Sequence, residues 1–140
     1  MKMPDRIETI MFAPCGINCA VCYKHVFMPK RGKPCVGCLN GDEGKSARCL
    51  SCAIKGCAQE KGLVHCFACG DFPCARIKSM ERSYQKRYDT SLIANSRRVL
   101  EAGIEAFLAE DRIRWTCIYC GGAFSLHDGV CSECGRGHEV

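Results

Sequence analysis

The sequence predicts a small, irregular α+β fold built from three parts, which span residues 12–74, 75–114 and 115–137. Two observations lead to this prediction. Cysteines make up 15 of the 140 residues and lie only in the first and third parts, whereas the middle part has the apolar spacing of helices. Without its cysteines the chain is only roughly 36% apolar, which is little for a conventional core. We therefore expect the cysteines to help hold the fold together.

Twelve of the cysteines fall into six pairs with the spacing Cys-x-x-Cys. This spacing lets a tight turn direct two sulfurs at one ion, and two such turns complete a tetrahedral zinc site. The odd number of cysteines and the lack of a secretory signal argue against a disulfide scaffold, so we expect a cytoplasmic protein with reduced thiols. The prediction is a metal-stabilised fold with about four zinc sites. The expected ligands are Cys15, Cys19, Cys22, Cys35, Cys38, Cys49, Cys52, Cys57, Cys66, Cys69, Cys74, Cys117, Cys120, Cys131 and Cys134.

The C-terminal part has the pattern of a zinc ribbon. Cys117 and Cys120 are separated from Cys131 and Cys134 by ten residues that include a turn signal. Four thiolates fill a zinc coordination shell, so we expect a closed, structural site without an open position for catalysis. A glycine follows the second cysteine of each pair. We expect these glycines to take the left-handed backbone conformation that folds each turn back on the metal.

The other side chains of the predicted ribbon are expected to serve packing or solvation. Its apolar residues predict short strands that cover the metal site. His127 is interpreted as a solvated turn residue, because four cysteines already complete the shell. The apolar residues concerned are Ile118, Phe124, Leu126 and Val130.

The eleven cysteines of the N-terminal part allow more than one partition into sites. The simplest partition by spacing gives two sets of four and one set of three. The set of three either takes a fourth ligand, for which His25 and His65 are the candidates, or remains open. Crossed pairings are equally compatible with the spacing. The three sets are Cys35, Cys38, Cys49 and Cys52; Cys57, Cys66, Cys69 and Cys74; and Cys15, Cys19 and Cys22.

The Cys-x3-Cys-x2-Cys run formed by Cys15, Cys19 and Cys22 also fits one [4Fe–4S] cluster with a free iron position. Such a run is typical of radical enzymes that cleave S-adenosylmethionine. Those enzymes carry the cluster on a large α/β barrel, for which this chain is too short. An iron–sulfur or redox protein is therefore the alternative to a zinc protein, and a radical enzyme is excluded.

The cysteine-free middle part is predicted to contain two helices. The first carries five basic residues interrupted by Glu81, which we interpret as a solvated face. The second is expected to run from a cap at Thr90 or Ser91, through Gly103, to Leu108, because apolar residues recur there at helical spacing. We expect the apolar stripe of this helix to pack on the first helix and on the N-terminal part.

Several motifs of the chain together match one family pattern. They are APCGINCAVCY at 13–23, KPCVGC at 33–38, CLSC at 49–52, IKGCAQEKG at 54–62, CFACGDFPC at 66–74, RYDTSLI at 87–93 and GIEAFL at 103–108. With these motifs the chain resembles a cysteine-rich bacterial and archaeal domain family of unknown function for which zinc binding has been inferred. The longer members carry a C-terminal zinc ribbon, so the resemblance covers residues 12 to about 135. It implies metal binding and supplies no reaction, substrate or partner.

The rest of the sequence excludes several functions and favours a binding role. There is no phosphate-cradling glycine loop, serine triad or metallohydrolase helix, and no apolar run approaches the ~20 residues of a membrane span. The formal net charge of +5 becomes about −2 when 15 thiolates and four divalent ions are counted, so it does not indicate an acidic partner. We expect a non-catalytic binding or adaptor module with no catalytic residue, no organic cofactor and no membrane association. Its partner is expected to be a protein, with nucleic acid as the less favoured alternative.

Overall fold

The computed structural model describes residues 1–27, 35–41, 45 and 47–138. The helices are α1 Tyr23–Val26, α2 Ala47–Leu50, α3 Ala53–Glu60, α4 Ala75–Tyr88, α5 Leu92–Ala102 and α6 Ile104–Arg114, and the strands are β1 Phe124–Ser125 and β2 Val130–Cys131. In this part of the chain the protein is a small α+β fold, mostly helical, with one two-stranded antiparallel sheet. None of the described helices combines the length and the apolar character that crossing a membrane requires.

The second predicted helix is interrupted at Gly103. This residue has a φ of 92° and a ψ of 160°, which lie far from helical values, so α5 ends before it and α6 begins after it. The prediction of one helix that continues through Gly103 to Leu108 is therefore wrong. Because the chain changes direction there, α6 packs against α5. An ion pair between Arg98 and Glu110, with Nε and Oε2 3.1 Å apart, joins the two helices.

Glu81 connects α4 to the beginning of α5. Ser91 caps α5, as predicted, because its Oγ accepts a hydrogen bond from the Ala94 amide at 2.9 Å. The Glu81 carboxylate accepts hydrogen bonds from the Ser91 hydroxyl at 2.6 Å and from the Ile93 amide at 2.9 Å. Glu81 is 7% exposed, so it does not belong to the solvated face that the sequence suggests. A buried carboxylate is stabilised here because it faces the positive end of α5 and receives two donors.

One hydrophobic core joins the N-terminal residues, the helices and the C-terminal hairpin. Phe12 is completely buried, and its ring meets the ring of Phe107 edge-on at a centroid distance of 5.4 Å. Ile77 of α4, Leu92 of α5 and Trp115 also lie in this core. Cysteines contribute to it as buried apolar groups. The buried cysteines of this core are Cys15, Cys19, Cys117 and Cys131.

The hairpin of β1 and β2 holds the C-terminal cysteines in place. Phe124 lies opposite Cys131, and Ser125 lies opposite Val130. The first residues of the chain run alongside the hairpin, since the Ala123 amide donates to the carbonyl of Met1 at 2.8 Å. The cysteines of the hairpin are thus tied by backbone hydrogen bonds to a second segment of the protein.

Candidate metal centre

Four cysteines converge at the C-terminal hairpin. The sulfurs of Cys117, Cys120, Cys131 and Cys134 all lie within 4.8 Å of one another. The Sγ atoms of Cys117 and Cys134 are 3.7 Å apart, and those of Cys120 and Cys131 are 3.5 Å apart. Four sulfurs at this separation are close enough to bind one metal ion in a tetrahedral shell.

The turns that carry these cysteines have the expected backbone. Gly121 and Gly135, which follow the second cysteine of each pair, have φ values of 74° and 76°, so the predicted left-handed conformation is confirmed. Each turn also directs an amide at a sulfur: the Gly122 amide donates to Cys120 Sγ and the Glu133 amide donates to Cys131 Sγ, both at 3.4 Å. Such N–H donors stabilise negative charge on a ligating thiolate.

The surroundings of Cys117 and Cys120 shift the pKa values of these two thiols in opposite directions. Burial raises the pKa of Cys117, but hydrogen bonds from the backbone amides of Tyr119 and Cys120 and from the Cys134 thiol outweigh it and bring that pKa down to about 7. At Cys120 the Gly122 amide lowers the pKa, whereas burial and the neighbouring thiols raise it to about 11. A divalent cation bound here would displace the thiol protons, because only the thiolate ligates.

The apolar cover of this cluster differs in part from the prediction. Phe124 and Leu126 are buried at 5% exposure each, as expected of covering residues. Ile118 instead is 88% exposed and does not cover the cluster, so that part of the prediction is wrong. Ile118 and its neighbour Tyr119 lie between Cys117 and Cys120, in a turn whose backbone faces the sulfurs and whose side chains therefore face outward.

His127 is not a solvated turn residue. Its Nδ1 accepts a hydrogen bond from the Tyr23 amide at 3.4 Å, and its Nε2 is 3.0 Å from the Tyr84 hydroxyl. The neutral ring thus carries its proton on Nε2. The rings of Tyr23, Tyr84 and Tyr88 pack around it at centroid distances of 4.7 to 5.6 Å. His127 therefore joins the hairpin to α1 and α4, and it is not a ligand of the four-cysteine cluster.

Burial of His127 predicts an acid-sensitive contact. Burial and the charge of Lys24 lower its pKa from 6.5 to about 4, although Asp128 opposes the shift. Since the folded-state pKa lies below the unfolded value, the stabilisation is complete above pH 6.5 and is lost as the pH falls toward 4. Between pH 7.5 and 5.5 the metal-loaded protein should lose about 1 kcal/mol more stability than its His127→Gln variant. Denaturant unfolding at both pH values measures this difference, and equal losses in the two proteins would contradict it.

The N-terminal cysteines are more widely spaced than the C-terminal four. Among the cysteines, all of which the structure describes, only the C-terminal set has every sulfur within 4.8 Å. Cys66 nevertheless lies near four others: burial and the charges of Cys74, Cys57, Cys69 and Cys52 raise its pKa to about 11. Cys66 therefore lies near Cys57, Cys69 and Cys74, the set that the spacing suggests, and also near Cys52, but these sulfurs are not all within 4.8 Å of one another.

Other N-terminal cysteines meet partners that the spacing does not suggest. The thiols of Cys19 and Cys38 are hydrogen-bonded to each other, and this contact, with nearby Lys45 and Lys55, lowers the pKa of Cys38 to about 6 in spite of burial. Burial, together with the charges of Cys35 and Cys38, raises the pKa of Cys22 to about 12. Burial also raises the pKa of Cys15, whose neighbours are Cys38, Cys52 and Cys66.

The two candidate histidine ligands make contacts of their own. His25 Nδ1 donates to the carbonyl of Cys35 at 2.6 Å. His65 Nε2 donates to the carbonyl of Phe12 at 3.2 Å, and its ring stacks on Phe67 at a centroid distance of 5.1 Å. Burial lowers the pKa of His65, which keeps it neutral at pH 7. His65 therefore belongs to the packing around Phe12.

Residues 11–79 match the model of a family described as Protein of unknown function (DUF3795). This segment resembles an uncharacterised domain family. The DUF3795 segment contains the eleven N-terminal cysteines, and the four-cysteine cluster of the hairpin lies outside it. No curated protein and no solved structure matches the chain. The match gives no function.

Two lysines of the DUF3795 segment contact cysteine sulfurs, and the spacing of the cysteines does not predict these contacts. Lys24 Nζ lies 2.7 Å from Cys49 Sγ, and Lys61 Nζ lies 3.2 Å from Cys69 Sγ. The Asp71 amide and the Lys61 ammonium lower the pKa of Cys69. Ammonium groups at this distance favour the thiolate form, which is the form that binds metal. A lysine two residues after Cys22 gives no signal of this contact, because the partner lies 25 residues away.

Proposed function

We propose that the protein is a cytoplasmic zinc-binding module without catalytic activity, and that its C-terminal hairpin is a zinc ribbon. The observation that carries this proposal is the convergence of four sulfurs within 4.8 Å of one another. Four thiolates complete the tetrahedral shell of zinc and leave no position for a substrate or an activated water. The role of this site is therefore to stabilise the fold.

The module is proposed to bind a protein partner. Ile118 is 88% exposed and Tyr119 is 61% exposed, so the turn between Cys117 and Cys120 presents an apolar and an aromatic side chain to solvent. Nucleic acid is the weaker choice, although α4 is basic. Tyr84 and Tyr88, the aromatic residues on α4 that base stacking would need, pack against His127 instead.

Metal analysis of anaerobically purified native protein, together with its visible spectrum, tests the proposal. We expect zinc in a colourless protein, and we expect Cys134→Ser to remove one zinc ion per chain. Tyr119→Ser is the matched control, because it alters an exposed side chain in the same hairpin and leaves all four sulfurs in place; it should retain the full zinc content. A brown protein that contains iron and shows thiolate-to-iron absorption would establish the iron–sulfur alternative instead. A protein without any bound metal would contradict both.

A further inference from the structure

The first of two neighbouring turns in the DUF3795 segment is fixed by the helical part of the protein. Cys19 begins the 3₁₀ turn Cys19–Val21 and Cys22 follows it, and the Asn18 side chain caps this turn by accepting a hydrogen bond from the Ala20 amide at 3.0 Å. Asn18 Nδ2 in turn donates to the carboxylate of Asp111 on α6 at 3.0 Å. Asn18 and Asp111 are 2% and 7% exposed, so this pair holds the turn in a defined position.

The second turn, between Cys35 and Cys38, is attached directly to the first. The Cys35 amide donates to the carbonyl of Lys24 at 2.9 Å, and His25 Nδ1 donates to the carbonyl of Cys35 at 2.6 Å. The partner of Cys35 in each of these hydrogen bonds is a residue of α1, the helix that begins immediately after Cys22. The two Cys-x-x-Cys turns are therefore connected through backbone groups, independently of any contact between their sulfurs.

Close packing on the other side restricts the second turn as well. Gly37 has a φ of 107°, and a Cβ at this position would lie 3.0 Å from the sulfur of Met11. Met11 belongs to the buried core. The turn is thus held between α1 and the core, with Cys35 only 8% exposed.

These two turns place their four cysteines near one another, with wider spacing between the sulfurs than in the C-terminal cluster. Cys19 and Cys38 share a hydrogen bond between their thiols, and Cys22 lies within reach of the charges of Cys35 and Cys38. We propose that Cys19, Cys22, Cys35 and Cys38 together hold one metal ion in a closed four-thiolate site. This inference rests on the proposed function, since it assigns the ligands of one of the zinc ions.

The proposed ligand set changes the partition that spacing suggests. Cys35 and Cys38 no longer share a metal with Cys49 and Cys52, and the Cys49 sulfur faces the Lys24 ammonium. If Cys57, Cys66, Cys69 and Cys74 form a second site, the three sulfurs that remain are Cys15, Cys49 and Cys52. The incomplete set is then no longer Cys15, Cys19 and Cys22, which removes the contiguous run required by the iron–sulfur alternative.

Substitution of cadmium-113 for the native metal in the whole protein tests this assignment. Each bound cadmium couples to the β protons of its cysteine ligands, so a cadmium–proton correlation spectrum identifies the ligands of each ion. We expect one cadmium resonance to correlate with Cys19, Cys22, Cys35 and Cys38. Correlation of Cys35 and Cys38 with Cys49 and Cys52 would overturn the inference, as would one cadmium shared by Cys15, Cys19 and Cys22.

The same spectrum separates failure of this inference from failure of the proposed function. Cadmium bound by the C-terminal four cysteines, with none bound by Cys19 and Cys38, would reject the new site and leave the zinc ribbon intact. Absence of cadmium from every site would reject the proposed function itself.

Metal stoichiometry of paired variants gives a second, independent measurement. Cys22→Ser combined with Cys38→Ser should remove one metal ion per chain, because both residues serve the same ion. Cys22→Ser combined with Cys134→Ser, the matched control, should remove two, because Cys134 belongs to the C-terminal cluster. A loss of two ions from the first pair would overturn the inference. Trp115 emission, which reports the core on which these turns pack, identifies variants that fail to fold.

Discussion

Removal of metal from the reduced, native protein is expected to abolish its cooperative unfolding transition. Binding of zinc to a structural four-thiolate site contributes an apparent ~10 kcal/mol or more, whereas the net stability of a small domain is only ~5–15 kcal/mol. Loss of several sites thus removes more free energy than the fold has in reserve. It also leaves Cys15, Cys19, Cys117 and Cys131 as buried thiols without a bound metal ion. We expect the DUF3795 segment and the hairpin to unfold.

Trp115 is a suitable probe of this unfolding, because it is the one tryptophan of the chain and lies two residues before Cys117. It is 6% exposed, and its ring stacks on His138 at a centroid distance of 4.4 Å. On chelation its emission should shift to the red as the ring enters water. Zinc added back under reducing conditions should restore the original emission. A sharp thermal transition in protein verified to be free of metal would show that the core is sufficient without it.

The features that the sequence predicts correctly are local ones. Gly121 and Gly135 adopt positive φ because a turn that folds back on its own cysteine requires it, and this requirement is set within a few residues. Ser91 caps α5 for the same kind of reason, since its hydroxyl reaches an amide only three residues away. Spacing also identifies the C-terminal four-cysteine cluster, because both of its turns belong to one short hairpin.

The features that the sequence does not predict depend on contacts between distant parts of the chain. Asn18 and Asp111 are 93 residues apart, and no periodic pattern connects them. His127 meets the Tyr84 hydroxyl 43 residues away, so a turn signal alone suggests solvation. The pairing of Cys19 with Cys38 is of the same kind. All Cys-x-x-Cys turns are equivalent by spacing, and the packing of the folded chain determines which of them meet. Gly103 is a different case, because the apolar periodicity continues past this residue although its backbone conformation ends the helix.

Gly16→Ala is expected to destabilise the metal-loaded protein by about 3 kcal/mol or more. Gly16 has a φ of 105°, and a Cβ on it would lie 2.6 Å from the carbonyl oxygen of Leu92 and 2.8 Å from Ser96 Oγ. The first of these atoms belongs to the backbone of α5 and cannot move away without distorting the helix. The hydrogen bond from Asn95 Nδ2 to the carbonyl of Gly16, 3.0 Å long, holds the loop at this close approach. The added methyl group must therefore push the loop off α5.

Gly62→Ala separates this steric effect from backbone strain. Gly62 also has a positive φ, 70°, but no atom lies within 4 Å of a Cβ built on it, so its replacement should cost only about 1 kcal/mol. Denaturant unfolding of both variants with metal bound measures the difference, and equal losses would show that the loop can move away from α5 freely.

Because Cys15 and Cys19 lie on either side of Gly16, a loop displaced from α5 also carries their sulfurs away from their neighbours. Gly16→Ala should then weaken metal binding by the DUF3795 segment while the C-terminal hairpin keeps its ion, which makes the contact with α5 a condition for assembling the N-terminal sites.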